Sequence, residues 1–81
     1  MESQIFTIDD IYVPAKRRRT VDPATVATIA ESMLEEGQLN PILIREDGAR
    51  YVLVEGLHRL EACKALGDET ILALKVQARR S

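Results

Sequence analysis

The stretch Glu55-Gly56-Leu57-His58-Arg59-Leu60-Glu61-Ala62-Cys63 constrains this chain most, because it turns an apolar strand into a helix through a glycine. The preceding run Tyr51-Val52-Leu53-Val54 reads as a buried strand, and residues 57–66 carry a helical pattern. Gly56 supplies backbone angles, or a close approach, that a side chain forbids. The amides that follow have no carbonyl in a preceding turn to bond, and together with the positive end of the helix dipole they favour negative charge. Arg59 adds a fork of donors there and His58 one or two more. Counting about 100° per residue puts Arg59 near the azimuth of Leu66 and Cys63, on an arc that otherwise faces the core. Its side chain leans toward the N-terminus, over the helix start. Residue types and spacing together describe a phosphate-holding turn, with a plain surface cation as the alternative reading of Arg59.

The rest of the composition narrows what such a turn could serve. A chain of 81 residues is expected to be one domain, with its core over about 5–76 and a polar, basic tail over 77–81. Only Phe6, Tyr12 and Tyr51 are aromatic, so stacking bases on an aromatic platform is not expected as the main binding mode. The net charge of −2 argues against coating nucleic acid with the whole surface, yet Lys16, Arg17, Arg18 and Arg19 are consecutive and attract phosphate locally. A solvated loop is the alternative for that run. One cysteine and one histidine exclude an intramolecular disulfide, a multi-cysteine zinc site and a His-based metal cluster. Cys63, inside the helical pattern, reads as a small buried hydrophobe rather than a nucleophile. No apolar run reaches the roughly 20 residues that span a bilayer, and Met-Glu-Ser-Gln does not open a secretion signal; a cytoplasmic protein with no membrane partner is expected.

Along the chain, residues 4–13 are strand-like but broken by Asp9-Asp10, and Pro14 with the basic run marks a connecting loop. Asp22-Pro23 reads as an N-cap followed by proline at the first helical position, with the helix running to Glu36 and Gly37 ending it. Val26, Ile29, Ala30, Met33 and Leu34 define its expected buried stripe. Beside that stripe Thr25, Thr28 and Ser32 share nearly one azimuth, a ladder of hydroxyls that either donate to an anion or bond back to the preceding turn. Asn40-Pro41 enters a strand at Ile42-Leu43-Ile44, and Asp47-Gly48 turns it into a hairpin with residues 50–54. Gly67 closes the second helix, and Ile71-Leu72-Ala73-Leu74-Lys75-Val76 is a last strand.

Two separated blocks of this pattern resemble the ParB/sulfiredoxin superfamily. Residues 14–44, from Pro-Ala-Lys-Arg-Arg-Arg-Thr-Val-Asp-Pro through Glu31-Ser32-Met33-Leu34-Glu35-Glu36-Gly37 to Asn40-Pro41-Ile42-Leu43-Ile44, are similar to the N-terminal domain of ParB-type partition proteins. Residues 51–67 resemble both the ParB arginine box and the Gly-Cys-His-Arg segment of sulfiredoxins. The resemblance implies an α+β fold, a small mixed sheet packed against two main helices, with a phosphate-binding cleft at the starts of both. It implies a nucleoside triphosphate with Mg²⁺ as ligand, CTP as in partition proteins or ATP as in sulfiredoxins, with the base left open. By position, Gly56, His58 and Arg59 match the phosphate turn, Thr28 and Ser32 the hydroxyls facing the nucleotide, with Thr25 expected on the same wall, and Arg18 the arginine of the partition proteins' Pro-Arg loop.

The departures bear on chemistry. Leu57 stands where sulfiredoxins have their reacting cysteine and where partition proteins have a glutamate, so sulfiredoxin chemistry lacks its nucleophile. Thr25 replaces a phosphate-contacting lysine. Glu55, immediately before the glycine, matches an acid found in many stand-alone relatives; it is useful if it holds Mg²⁺ or accepts a proton, and otherwise is a solvated strand end. No metal ligand set of the chain's own is expected. The leading expectation is a nucleotide-binding module of ParB-like type serving plasmid or chromosome maintenance, which either stands alone or forms a homo-oligomer. The alternatives are a phosphotransferase or nuclease using Glu55 with a divalent metal, and a nonspecific DNA-binding accessory using residues 16–19.

Overall fold

Strand and helix alternate where the apolar period changes from two to between three and four. The computed structural model describes residues 2–38 and 40–77. Its elements are β1 (Gln4–Thr7), β2 (Ile11–Tyr12), α1 (Ala15–Arg18), α2 (Pro23–Glu36), β3 (Ile42–Asp47), β4 (Arg50–Glu55), α3 (Leu57–Ala65) and β5 (Thr70–Val76). The strands form one sheet in the order β1-β5-β3-β4-β2. β1 with β5 and β3 with β4 are antiparallel, whereas β5 with β3 and β4 with β2 are parallel. This is the expected α+β fold with a small mixed sheet.

The first strand-like segment divides in two, because Ile8–Asp10 form a single turn of 3-10 helix. The bend carries the chain from one edge of the sheet to the other, so β1 pairs β5 and β2 pairs β4. The basic run also differs from its expected loop: Ala15–Arg18 coil into one turn of α-helix behind Pro14.

The core lies between the sheet and α3. Ile42 and Ile44 from β3, Leu53 from β4, Ile71 and Ala73 from β5, and Leu57, Leu60 and Cys63 from α3 are buried together. Fully burying one such aliphatic side chain contributes about 1.5–3 kcal/mol. The Phe6 ring meets Tyr51 edge-on, with centroids 5.1 Å apart, at the margin of this cluster. Gly48, at φ 63°, takes the hairpin turn between Asp47 and Arg50.

The stripe on α2 is a correction. Val26, Ile29, Ala30 and Met33 are only half-buried, and Leu34 is 72% exposed. The reason is the packing: α2 lies on α3 rather than on the sheet, so one neighbour covers it instead of a whole face. Of the expected basic tail only Gln77 is described, and residues 78–81 lie outside the described residues.

Candidate functional site

Two helix starts meet, and their local chemistry is opposite. At the start of α2, Asp22 has extended backbone angles and its carboxylate accepts the Ala24 N–H at 3.3 Å and the Thr25 hydroxyl at 2.7 Å. Pro23 has no N–H to offer, and the Asp22 carbonyl takes the Val26 N–H at 3.0 Å. The Thr25 hydroxyl, then the Ala24 amide, hold the Asp22 carboxyl below its ordinary value. This helix start is closed by its own aspartate.

The start of α3 is open. Gly56 sits at φ 108°, ψ 30°, in the left-handed region, and has no side chain to cap the helix. A Cβ there would lie 2.5 Å from Ile42 Cγ2 and 2.8 Å from Ile42 Cβ, so glycine is required both for its angles and for its close approach to β3. The first helical bond runs from the Leu60 N–H to the Gly56 carbonyl at 3.0 Å. The amides of Leu57, His58 and Arg59 have no acceptor among the described residues. Leu57 points its side chain into the core, which fixes the helix while its backbone stays at the cleft.

These amides border a cavity of about 350 Å³ that is also lined by Arg17, Thr20, Thr25, Ile29, Glu55 and Arg59. A smaller cavity of about 140 Å³ continues it past Ile29 and Arg59 to Ser32, Gly37 and Asn40. Arg59 therefore bridges both, half-buried and without an ion pair among the described residues. None of the three aromatic residues lines either cavity. Tyr12 is occupied elsewhere, under the Arg50 guanidinium at 4.1 Å.

His58 spans the two helix starts: its Nε2 accepts the Asp22 N–H at 3.1 Å. That bond needs a lone pair on Nε2, so in the neutral ring the proton is on Nδ1, and only this nitrogen remains to donate. The hydroxyl ladder divides as well. Thr25 lines the larger cavity and Ser32 the smaller, where the Ser32 hydroxyl lies 3.4 Å from Glu36 Oε1. Thr28 lines neither and donates back to the Ala24 carbonyl at 3.1 Å.

Within the basic run the cavity takes Arg17, while Lys16, Arg18 and Arg19 are exposed and outside its lining. Coiling residues 15–18 into a helical turn fans their side chains apart, and only Arg17 turns toward β4. There it donates to the Val54 carbonyl. A register shift in the β3–β4 ladder sets Glu55 opposite Leu43 and Leu53 opposite Ile44, which leaves Val54 as the extra residue of a bulge and frees its carbonyl. Sequence reasoning missed Arg17 and Thr20 as lining residues. Pro14 followed by four residues compatible with helix, with no glycine among them, was the available signal.

Glu55 is exposed at the cavity rim, at the end of β4, and makes no ion pair among the described residues. Groups of three or more metal-ligating side chains do not occur among the described residues. Cys63 is buried, and burial with the nearby Asp68 carboxylate pushes its thiol up, which is the behaviour of an inert core residue. No helix among the described residues is long and apolar enough to cross a membrane.

The sequence pattern of the ParB N-terminal domain matches residues 2–80. A probable chromosome-partitioning protein ParB of Campylobacter jejuni is 34% identical over 73 residues, covering 89% of this chain and 26% of that protein. The chain thus spans about a quarter of the length of that relative. Among solved structures, sulfiredoxin from Arabidopsis thaliana superposes with a TM-score of 0.87 at 27% identity, over 96% of this chain and 88% of that one. The C-terminally truncated chromosome-partitioning protein ParB of Caulobacter crescentus, complexed with CTP-γ-S, superposes with a TM-score of 0.82 at 25% identity, over 98% of this chain and 46% of that one.

Proposed function

Because the chain belongs to the ParB N-terminal domain family, we propose that the cleft at the start of α3 binds the phosphates of a nucleoside triphosphate and that the domain works as a nucleotide-binding module. One observation carries this reading: the amides of Leu57, His58 and Arg59 are unpartnered among the described residues and open onto a cavity that Arg17 and Arg59 also line. Aligned amides, a helix dipole and two guanidinium groups suit a polyanion better than any neutral ligand. The CTP-γ-S bound to the similar Caulobacter protein supports the same class of ligand.

Each residue then has a part that its position supports. Arg59 and the three amides hold phosphate oxygens, and Gly56 keeps the backbone close enough for them to converge. Arg17, already bonded to β4, closes the cleft from the α1 side, in the part that the resemblance gave to Arg18, whose side chain lies outside the lining. His58 contributes through Nδ1 and keeps the two helix starts in register through Nε2. Thr25 and Ser32 line the opposite wall, where a phosphate would draw their hydroxyls from Asp22 and Glu36, and Thr28 joins them only by giving up its bond to Ala24. Mg²⁺ fits this site as a companion of the phosphates: Glu55 is a lone carboxylate at the rim, too few ligands for a metal without nucleotide oxygens. Service in plasmid or chromosome maintenance, a cytoplasmic location and contact between residues 16–19 and a DNA backbone belong to the same reading.

Glu55 also supports a second reading, in which it activates an attacking group beside the terminal phosphate. Calorimetric titration with each of the four nucleoside triphosphates, with and without Mg²⁺, tests the first. Saturable binding of at least one triphosphate is expected, whereas no heat with any of them contradicts it. Phosphate release on the order of 1–10 per second, abolished by Glu55→Gln without loss of affinity, would establish the enzyme instead.

A further inference from the structure

At the C-terminal ends of the two long helices lies a further groove, which meets the smaller cavity only at Met33 and Gly37. Its lining, about 370 Å³, comes from the C-terminal ends of both long helices and the adjoining strands: Met33, Leu34 and Gln38 beside α2, Leu66 and Asp68 after α3, and Ile5 on β1. Ile5 and Leu34 are 71% and 72% exposed, the two most exposed large apolar side chains among the described residues. Both border this one groove. An aliphatic pair so exposed at one place leaves apolar area in water that a partner would cover.

The charged side chains described at the groove's rim are mostly acidic. Asp68 is in the lining and Glu69 follows it; the Glu69 carbonyl takes the Ile8 N–H at 3.0 Å, which brings Asp9 and Asp10 to the same end. On α2, Glu31 and Glu35 flank Leu34, and the last turn has no basic residue. Among the described residues, no lysine or arginine lines the groove. Helix C-termini carry partial negative charge and are stabilised by cations. Two of them end here: α2 has no basic residue in its last turn, and Lys64 in that of α3 is bonded to Glu61, so the exposed carboxylates beside them favour a cationic partner.

We propose that this groove docks a cationic amphipathic segment of a protein partner, whose apolar residues seat against Ile5, Leu34 and Leu66 while flanking lysines or arginines meet Asp68, Glu69, Glu31 and Glu35. The probe is an 18-residue helical peptide of leucine and lysine, fluorescently labelled and followed by anisotropy, with an all-lysine peptide of equal charge beside it. Saturable binding of the amphipathic peptide is expected, at least tenfold weaker for Leu34→Ser and for Asp68→Lys, and unchanged for Asp47→Lys, which alters an exposed carboxylate on the distant hairpin. All three positions are exposed, and thermal unfolding of each variant checks that the fold survives. Equal binding of the all-lysine peptide, or equal weakening by Asp47→Lys, would overturn the proposal by reducing it to nonspecific attraction. Absence of binding would also overturn it. Sedimentation of the protein alone as a dimer that Leu34→Ser dissociates would overturn it too, by making a second copy the occupant.

Discussion

The start of α2 and the start of α3 are built from the same backbone groups and end up with opposite chemistry. Asp22 fills the first with its own carboxylate, and Pro23 removes a donor from it. At the second, Gly56 offers no cap, and three amides face a cavity with Arg17 and Arg59. The comparison teaches that a helix dipole alone does not make an anion site; whether the first turn is satisfied from within decides it. The resemblance of both blocks to the superfamily suggested phosphate at both starts, but the closed cap leaves α2 only its side chains to offer.

The contrast breaks most completely at Gly56. Gly56→Ala sets a Cβ 2.5 Å from Ile42 Cγ2 at a φ of 108°, so the turn must open or the strand must move. Urea unfolding is expected to show a loss of about 2–4 kcal/mol, from overpacking and a strained left-handed residue. Nucleotide binding should fall with it. A variant as stable as the parent would mean the close approach is not a constraint.

Arg59→Ala separates binding from folding. It should weaken triphosphate binding by about 1.5–3 kcal/mol, the range for a charged hydrogen-bonding partner, while thermal unfolding stays cooperative. Unchanged binding with a collapsed melt would make Arg59 a structural residue.

Asp22→Ala sharpens the contrast from the other side. It should lower the melting temperature at neutral pH without weakening nucleotide binding, because it removes a cap and a negative charge rather than a phosphate ligand. The folded-state carboxyl is held below its ordinary value of 3.8, so its contribution is complete above that value and is lost as pH falls through the lowered one. The difference between parent and variant should therefore vanish in strong acid. A difference that persists there would show that something other than the charged cap is lost.

The smallest effects concern the hydroxyls. Ser32→Ala, in the lining of the smaller cavity, should weaken binding by roughly 0.5–1.5 kcal/mol, the worth of a neutral hydrogen bond. Thr28→Val should change affinity less, since its hydroxyl is committed to the Ala24 carbonyl. Equal losses at both positions would show that Thr28 abandons that bond when ligand arrives.

Much of this was legible in the sequence because local chemistry decided it. Asp22-Pro23 announced a capped start, Gly37 and Gly67 the ends, Asp47-Gly48 the hairpin, and Gly56 an unusual backbone. What escaped was decided by tertiary placement. Nothing local shows that α2 would rest on α3 alone and leave Leu34 exposed. The ladder bulge that frees the Val54 carbonyl for Arg17 depends on how β3 and β4 align, which one strand's sequence does not contain. His58 reads as a phosphate donor from its position after Gly56, and its bond to the Asp22 amide, 36 residues away, appears only when the two helices meet.

The most direct test follows the amides themselves. In a titration of the ¹⁵N-labelled protein with the tightest-binding triphosphate and Mg²⁺, the backbone resonances of Leu57, His58 and Arg59 should move together and saturate, as free N–H groups acquire phosphate acceptors. Those of Ala24 and Val26, already bonded to Asp22, should move little. Saturating shifts at Ala24 and Val26 with Leu57, His58 and Arg59 unmoved would contradict the account, because the nucleotide would then be held at the closed helix start and not the open one.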